Sequence, residues 1–179
     1  MTDNSKKYNS HSQGYEETPP HPTPWRGKLS SPILIGTLPL GGNNPVRIQS
    51  MTNTDTLDTE ASVKQCIRII EAGADMVRLT AQGVREARNL EEIKKGIRKA
   101  GYDTPVIADI HFNPAAAEVA AEIVEKVRIN PGNYADKRAS FVLTEFTEKE
   151  YREELERIHT KILPLINICL KNGDRKSVV

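Results

Sequence analysis

Residues 75–130 read DMVRLTAQGVREARNLEEIKKGIRKAGYDTPVIADIHFNPAAAEVAAEIVEKVRIN, and the alternation inside this stretch decides the fold. Three short apolar runs, Asp75–Thr80 (DMVRLT), Pro105–Ile110 (PVIADI) and Lys126–Asn130 (KVRIN), have strand length and are held apart by two segments with helical spacing. In the first of these, Leu90, Ile93, Ile97 and Ala100 recur every three or four residues and run into Gly101. In the second, Asn113 is an N-cap, Pro114 takes the first helical position, and AAAEVAAEIV follows. Upstream the unit repeats. Val46–Ser50 (VRIQS) predicts a strand, and Asp58 or Thr59 caps a helix with Val63, Cys66, Ile67 and Ile70 on one face, stopping at Gly73. Val46, Val77, Val106 and Val127, taken as equivalent, stand 31, 29 and 21 residues apart. Repeated strand–helix–strand units mean consecutive parallel strands with helices outside them. The expected class is α/β. It is either a doubly wound open sheet or a (β/α)8 TIM barrel with only its first four βα units present, because a whole barrel takes about 250 residues.

The flanks add three pieces. Ile33–Gly36 and Thr37–Leu40, with Gly41-Gly42-Asn43-Asn44-Pro45 behind them, predict an N-terminal hairpin feeding a turn. Residues 1–28 carry Pro19, Pro20, Pro22 and Pro24, both signs of charge and no apolar run, and read as a disordered polar tail. Thr147 and Glu150 form a capping box for a last helix, with Tyr151, Leu155, Ile158, Ile162 and Ile166 on one stripe and a kink expected at Pro164.

Composition narrows the function. Lys and Arg number 25 against 24 Asp and Glu, so the net charge of +1 excludes a generic polyanion-binding surface and points away from nucleic acid. No run reaches the ~18 apolar residues of a membrane span. Two cysteines are too few for a disulfide scaffold, which makes a cytoplasmic location the default. Cys66 and Cys169 fall on apolar helix faces and read as buried packing.

The working edge of either architecture is the C-terminal end of the strands. There stand Arg78 and Thr80, Asp109 and His111, and Arg128 and Asn130. An arginine inside a parallel strand needs a partner or a ligand for its head. Two of them in matching text, VRLT and VRIN, can converge on a phosphate or diphosphate. They can equally make internal salt bridges with Asp75 or Asp109, and spacing alone leaves both readings open. Arg47, in VRIQ, has the same local text and is not separable by spacing. No G-x-G-x-x-G and no P-loop is present, which excludes the familiar NAD and ATP sites. Asp109-x-His111 has no third ligand within reach, so a hydrogen-bonded pair is favoured over a metal site.

VRIQSMTNTDTLD, EAGADMVRLT, PVIADIHFN and VRINPGN together resemble the N-terminal half of the 4-hydroxy-3-methylbut-2-enyl diphosphate synthase (GcpE) family, from about Ile33 to Gly132. The terminal helix, FTEKEYREELERIHTKILPLINICL, is similar to the longer, three-domain form of that family. The resemblance implies a TIM barrel that binds 2-C-methyl-D-erythritol 2,4-cyclodiphosphate and opens it reductively, in the non-mevalonate route to isoprenoids. It implies a [4Fe-4S] cluster fed by ferredoxin or flavodoxin. It matches Arg78 and Arg128 to diphosphate-holding arginines, and Asp109, His111 and Asn130 to the pocket wall. The family's cluster ligands, three cysteines and a glutamate, and its catalytic glutamate belong to downstream segments that have no match here. Cys66 and Cys169 do not stand in for them, so this chain alone is expected to be inactive. A stand-alone diphosphate-binding or scaffold module and another phosphate-binding barrel of the pterin type are the alternatives. Assembly is left between monomer and homodimer.

Residues 29–173 then form the barrel part, and Asp174–Val179 (DRKSVV) replaces the expected next strand. These six residues are also the translation of an adapter stretch, GATCGGAAGAGCGTCGTG, which makes 174–179 a non-native terminus; a divergent natural end is the alternative.

Overall fold

The computed structural model describes Ser30–Asn130, Tyr134 and Thr147–Lys171. The expected tail at 1–28 and terminus at 174–179 lie outside these residues.

The first described elements are an antiparallel hairpin, β1 (Ile33–Ile35) and β2 (Leu38–Leu40). Its two-residue turn needs a positive φ at the first position, and Gly36 supplies it at 59°. Then come β3 (Gln49–Met51), α1 (Thr59–Glu71), β4 (Met76–Thr80), α2 (Val84–Lys99), β5 (Val106–Ile110), α3 (Pro114–Ile123), β6 (Lys126–Ile129) and α4 (Glu148–Lys171). The four strands β3 to β6 are parallel and lie in chain order, as the unit spacing predicts.

Side-chain alternation divides this sheet into two unlike faces. Val77, Leu79, Val106, Ala108, Ile110, Val127 and Ile129 are buried in one cluster with the apolar stripes of the helices. The opposite face carries Met51, Met76, Arg78, Ile107, Asp109, Lys126 and Arg128. The hairpin covers its lower end, where Ile35 packs on Met76 and Ile107. Among the described residues, helices therefore coat one side only. The layer is dense: α2 lies between α1 and α3, and α4 lies against α3. The four buried alanines of α3 let both neighbours approach. A Cβ on Gly96 of α2 would stand 2.6 Å from Val63 of α1, which is why a glycine occupies that crossing.

Four expectations are corrected. The first strand begins at Gln49, and Val46 is 94% exposed; Ser50, not Val46, is the register partner of Val77. The reason is Asp75: its carboxylate takes the Ile48 N–H at 2.8 Å in place of a backbone acceptor, while the Ile48 carbonyl already accepts the Asp75 and Met76 N–H groups. On α1 the buried positions are Ser62 and Cys66, with Val63, Ile69 and Ile70 against the core, so the face is rotated away from Ile67. On α2 the stripe gains Ala87 and loses Ala100, which caps the helix end. On α4 Leu165 and Cys169 are buried while Tyr151 and Leu155 are exposed, so burial is confined to the C-terminal half of the helix. This helix continues through Pro164. The caps are as expected: Asp58 accepts from Ala61, Asn113 from Ala116, and Thr147 and Glu150 exchange bonds.

Cys66 is fully buried, and burial pushes its thiol up to about 11 from 9.0. From pH 9 upward the unfolded chain releases a proton that the folded chain keeps, so stability falls as pH rises toward 11. Cys66→Ala is expected to remove this part of the slope, on the order of 1–2 kcal/mol by pH 11. Urea midpoints of parent and variant between pH 8 and pH 11 check it.

Candidate functional site

Of the polar residues predicted for the strand ends, Arg78, Asp109, His111 and Arg128 meet on the face that no described helix covers. Register sets them in rows. Arg78 stands level with Met51, Ile107 and Lys126, and Thr80 stands level with Asp109 and Arg128. Asp109 is the hub. Its side chain is only 4% exposed, with Arg128 Nη1 at 2.9 Å from Oδ1 and Arg78 Nε at 3.6 Å from Oδ2. Arginines from β4 and β6 thus reach one carboxylate on the strand between them. Arg78 also points Nη2 at the Met51 sulfur, 3.3 Å away, and its buried Nε has no hydrogen-bond partner.

His111 completes the group. Arg128 Nη1 lies 3.2 Å from its Nε2. The same Nε2 lies 3.5 Å from Asp109 Oδ1, so the imidazole sits between the guanidinium and the carboxylate. Asn130 lies just past the end of β6, two residues after Arg128, and its carbonyl accepts the Tyr134 N–H at 2.8 Å.

The loop between β3 and α1 forms the neighbouring rim, and polar side chains from both adjacent helices hold it. Gln65 Oε1 accepts from Asn53 and Thr54 at 3.1 Å each, Ser62 donates to the Asp55 carbonyl, and Asn89 donates to the Thr56 carbonyl at 2.7 Å. Thr56 Oγ1 reaches across to the Thr80 carbonyl at 2.6 Å. A polar hollow lined by Asn53, Asp55, Thr80, Gln82 and Glu86 opens beside it.

Arg47 goes elsewhere. It pairs with Asp75 at 3.6 Å and donates to the Pro39 carbonyl, which ties the hairpin to the lower end of the sheet. Lys126 was not singled out from the sequence, although Lys126, Arg128 and Asn130 keep the two-residue period of one strand face.

The family model for the GcpE TIM-barrel domain matches residues 30–172. The chain belongs to the GcpE family. Its four-stranded parallel sheet with outer helices is accordingly part of a TIM barrel. Curated relatives carry the name 4-hydroxy-3-methylbut-2-en-1-yl diphosphate synthase (flavodoxin). That of Phocaeicola vulgatus is 59% identical over 143 residues, covering 80% of this chain and 23% of the relative. That of Parabacteroides distasonis is 59% identical over 146 residues, covering 82% and 24%. That of Leptospira interrogans is 44% identical over 159 residues, covering 89% and 23%. The chain thus spans about a quarter of the length of the GcpE relatives it matches.

An iron–sulfur cluster does not fit the described residues. Cys66 packs in the core on α1 and Cys169 on α4, and no group of three potential ligands occurs among the described residues. No helix among them is long and apolar enough to cross a membrane.

Proposed function

We propose that this chain is the N-terminal barrel part of a 4-hydroxy-3-methylbut-2-enyl diphosphate synthase. Its helix-free face would hold the diphosphate of 2-C-methyl-D-erythritol 2,4-cyclodiphosphate. The observation that carries the reading is the convergence of Arg78 and Arg128, from alternate strands, on one side of the sheet. Two guanidiniums share a single carboxylate, so the trio keeps a net positive charge, and the terminal N–H groups of the two forks that Asp109 does not take are left to a ligand. Planar donors of this kind suit phosphoryl oxygens. Asn130 and His111 extend the same wall, with the His111 ring held beside Arg128 and Asp109.

On this reading the chain supplies substrate binding, and the cluster ligands and electron entry belong to the rest of a longer cytoplasmic protein that takes electrons from flavodoxin, as the relatives' names have it. This segment by itself then has no turnover.

In the full-length synthase carrying this segment, Arg128→Ala should weaken binding of the cyclic diphosphate by about 1.5–3 kcal/mol, the range for hydrogen bonds to a charged group. Calorimetry measures this directly. Unchanged affinity would leave the arginines as internal salt bridges and remove the main support for the reading. Binding without turnover in an iron-reconstituted full-length protein would favour the stand-alone binding module instead.

A further inference from the structure

Lys126 opens β6 on the helix-free face, opposite Ile107 and in the same row as Arg78, one step below the Asp109–Arg128 pair. Ile107 flanks it in that row and clusters with Met76 and Ile35, which close an apolar floor below. The ammonium is half-buried and forms no ion pair with any described residue. Burial and the nearby Arg78 charge both push its pKa down. The described part of this face therefore holds three cations, Arg78, Lys126 and Arg128, against one carboxylate, Asp109. Asp109 is already engaged by both arginines. Setting an unpaired ammonium beside a guanidinium over an apolar floor is unfavourable by desolvation and by repulsion. An anion bound between them reverses both.

We propose that Lys126 is a third cation of the anion pocket and that, with Arg78, it takes the second phosphoryl group of a diphosphate whose first group Arg128 holds. Two residues along a strand span about 6.6 Å, a distance the four-carbon stem of lysine bridges. The proposal rests on reading Arg78 and Arg128 as diphosphate ligands.

The test uses inorganic pyrophosphate and orthophosphate, titrated by calorimetry into the full-length synthase carrying this segment. Lys126→Met and Lys126→Gln should each weaken pyrophosphate about tenfold, the size of one charge-assisted hydrogen bond, and orthophosphate much less. Lys126→Arg should keep most of the affinity. Thermal unfolding of Lys126→Met should be no lower than that of the parent, because a repelled charge has been removed. Parent-like pyrophosphate binding in Lys126→Met and Lys126→Gln, with loss in Arg128→Ala, overturns the role of Lys126 alone. Parent-like binding in Arg128→Ala overturns the diphosphate reading itself.

Discussion

Asp109→Ala should lower stability by about 3–4 kcal/mol, the largest loss expected from any change in the pocket. The carboxylate is 4% exposed and has Arg128 at 2.9 Å, Arg78 at 3.6 Å and His111 at 3.5 Å. Truncation leaves two guanidiniums facing each other across one strand with nothing between them. Each retains some water contact, at 29% exposure for Arg78 and 33% for Arg128, which keeps the loss below that of a fully buried pair. Asp109→Asn preserves the shape and one acceptor, so it should lose about half as much. Anion binding distinguishes this hub from an ordinary structural salt bridge. In the alanine variant a bound anion takes over the position of the missing carboxylate. Saturating pyrophosphate should therefore raise the melting temperature of Asp109→Ala by more than it raises that of the parent. Thermal unfolding of both proteins with and without pyrophosphate measures the difference. Equal shifts would mean that the arginines do not face the ligand.

The strand order and the caps were legible in the sequence because they rest on local chemistry. Asn113-Pro114, Asp58, and Thr147 with Glu150 each fix a helix start through bonds within three residues. The pairing of VRLT with VRIN was legible for the same reason: both arginines follow a core valine by one position, so they share a face. What could not be read was set by distant partners. The start of β3 is decided by the Asp75 carboxylate, 27 residues on from Ile48. The stripe of α4 depends on how much of its length α3 covers, and periodicity within α4 contains no such information. Arg47 shows the limit most plainly. Its local text matches that of Arg78 and Arg128, yet it serves the lower end of the sheet because Asp75 and the Pro39 carbonyl wait for it there. Asp109 and His111 were correctly placed at the strand end, but the sharing of Asp109 by two arginines depends on the register of three strands.

Glu125→Ala should lower stability by about 3–5 kcal/mol without touching the arginine pocket. Glu125 stands just before β6, at the lower end of the sheet, with its side chain 13% exposed. One carboxylate oxygen takes Lys94 at 2.8 Å and Arg98 at 3.1 Å, both from α2. The other accepts the Val106 N–H at 2.9 Å, which opens β5. Arg98 extends the network to the carbonyls of Tyr102 and Thr104, and Lys94 to that of Ile123. The hairpin turn rests on the same side chain, since a Cβ at Gly36 would lie 3.0 Å from the Glu125 Cγ. Alanine would thus leave Lys94 without an anion and Arg98 with only the exposed Asp103 at 3.4 Å, one strand amide without its acceptor and a gap under the turn. Glu125→Gln keeps the acceptor for Val106 and the contact with Gly36 and loses only the charge, so its loss should be about half. Hydrogen exchange localises the effect in the full-length protein. Amides of Val106 and Ile107 should exchange faster in Glu125→Ala, while pyrophosphate affinity under folding conditions stays near that of the parent. Unchanged protection at β5 would show that the charge network does not hold the lower end of the sheet.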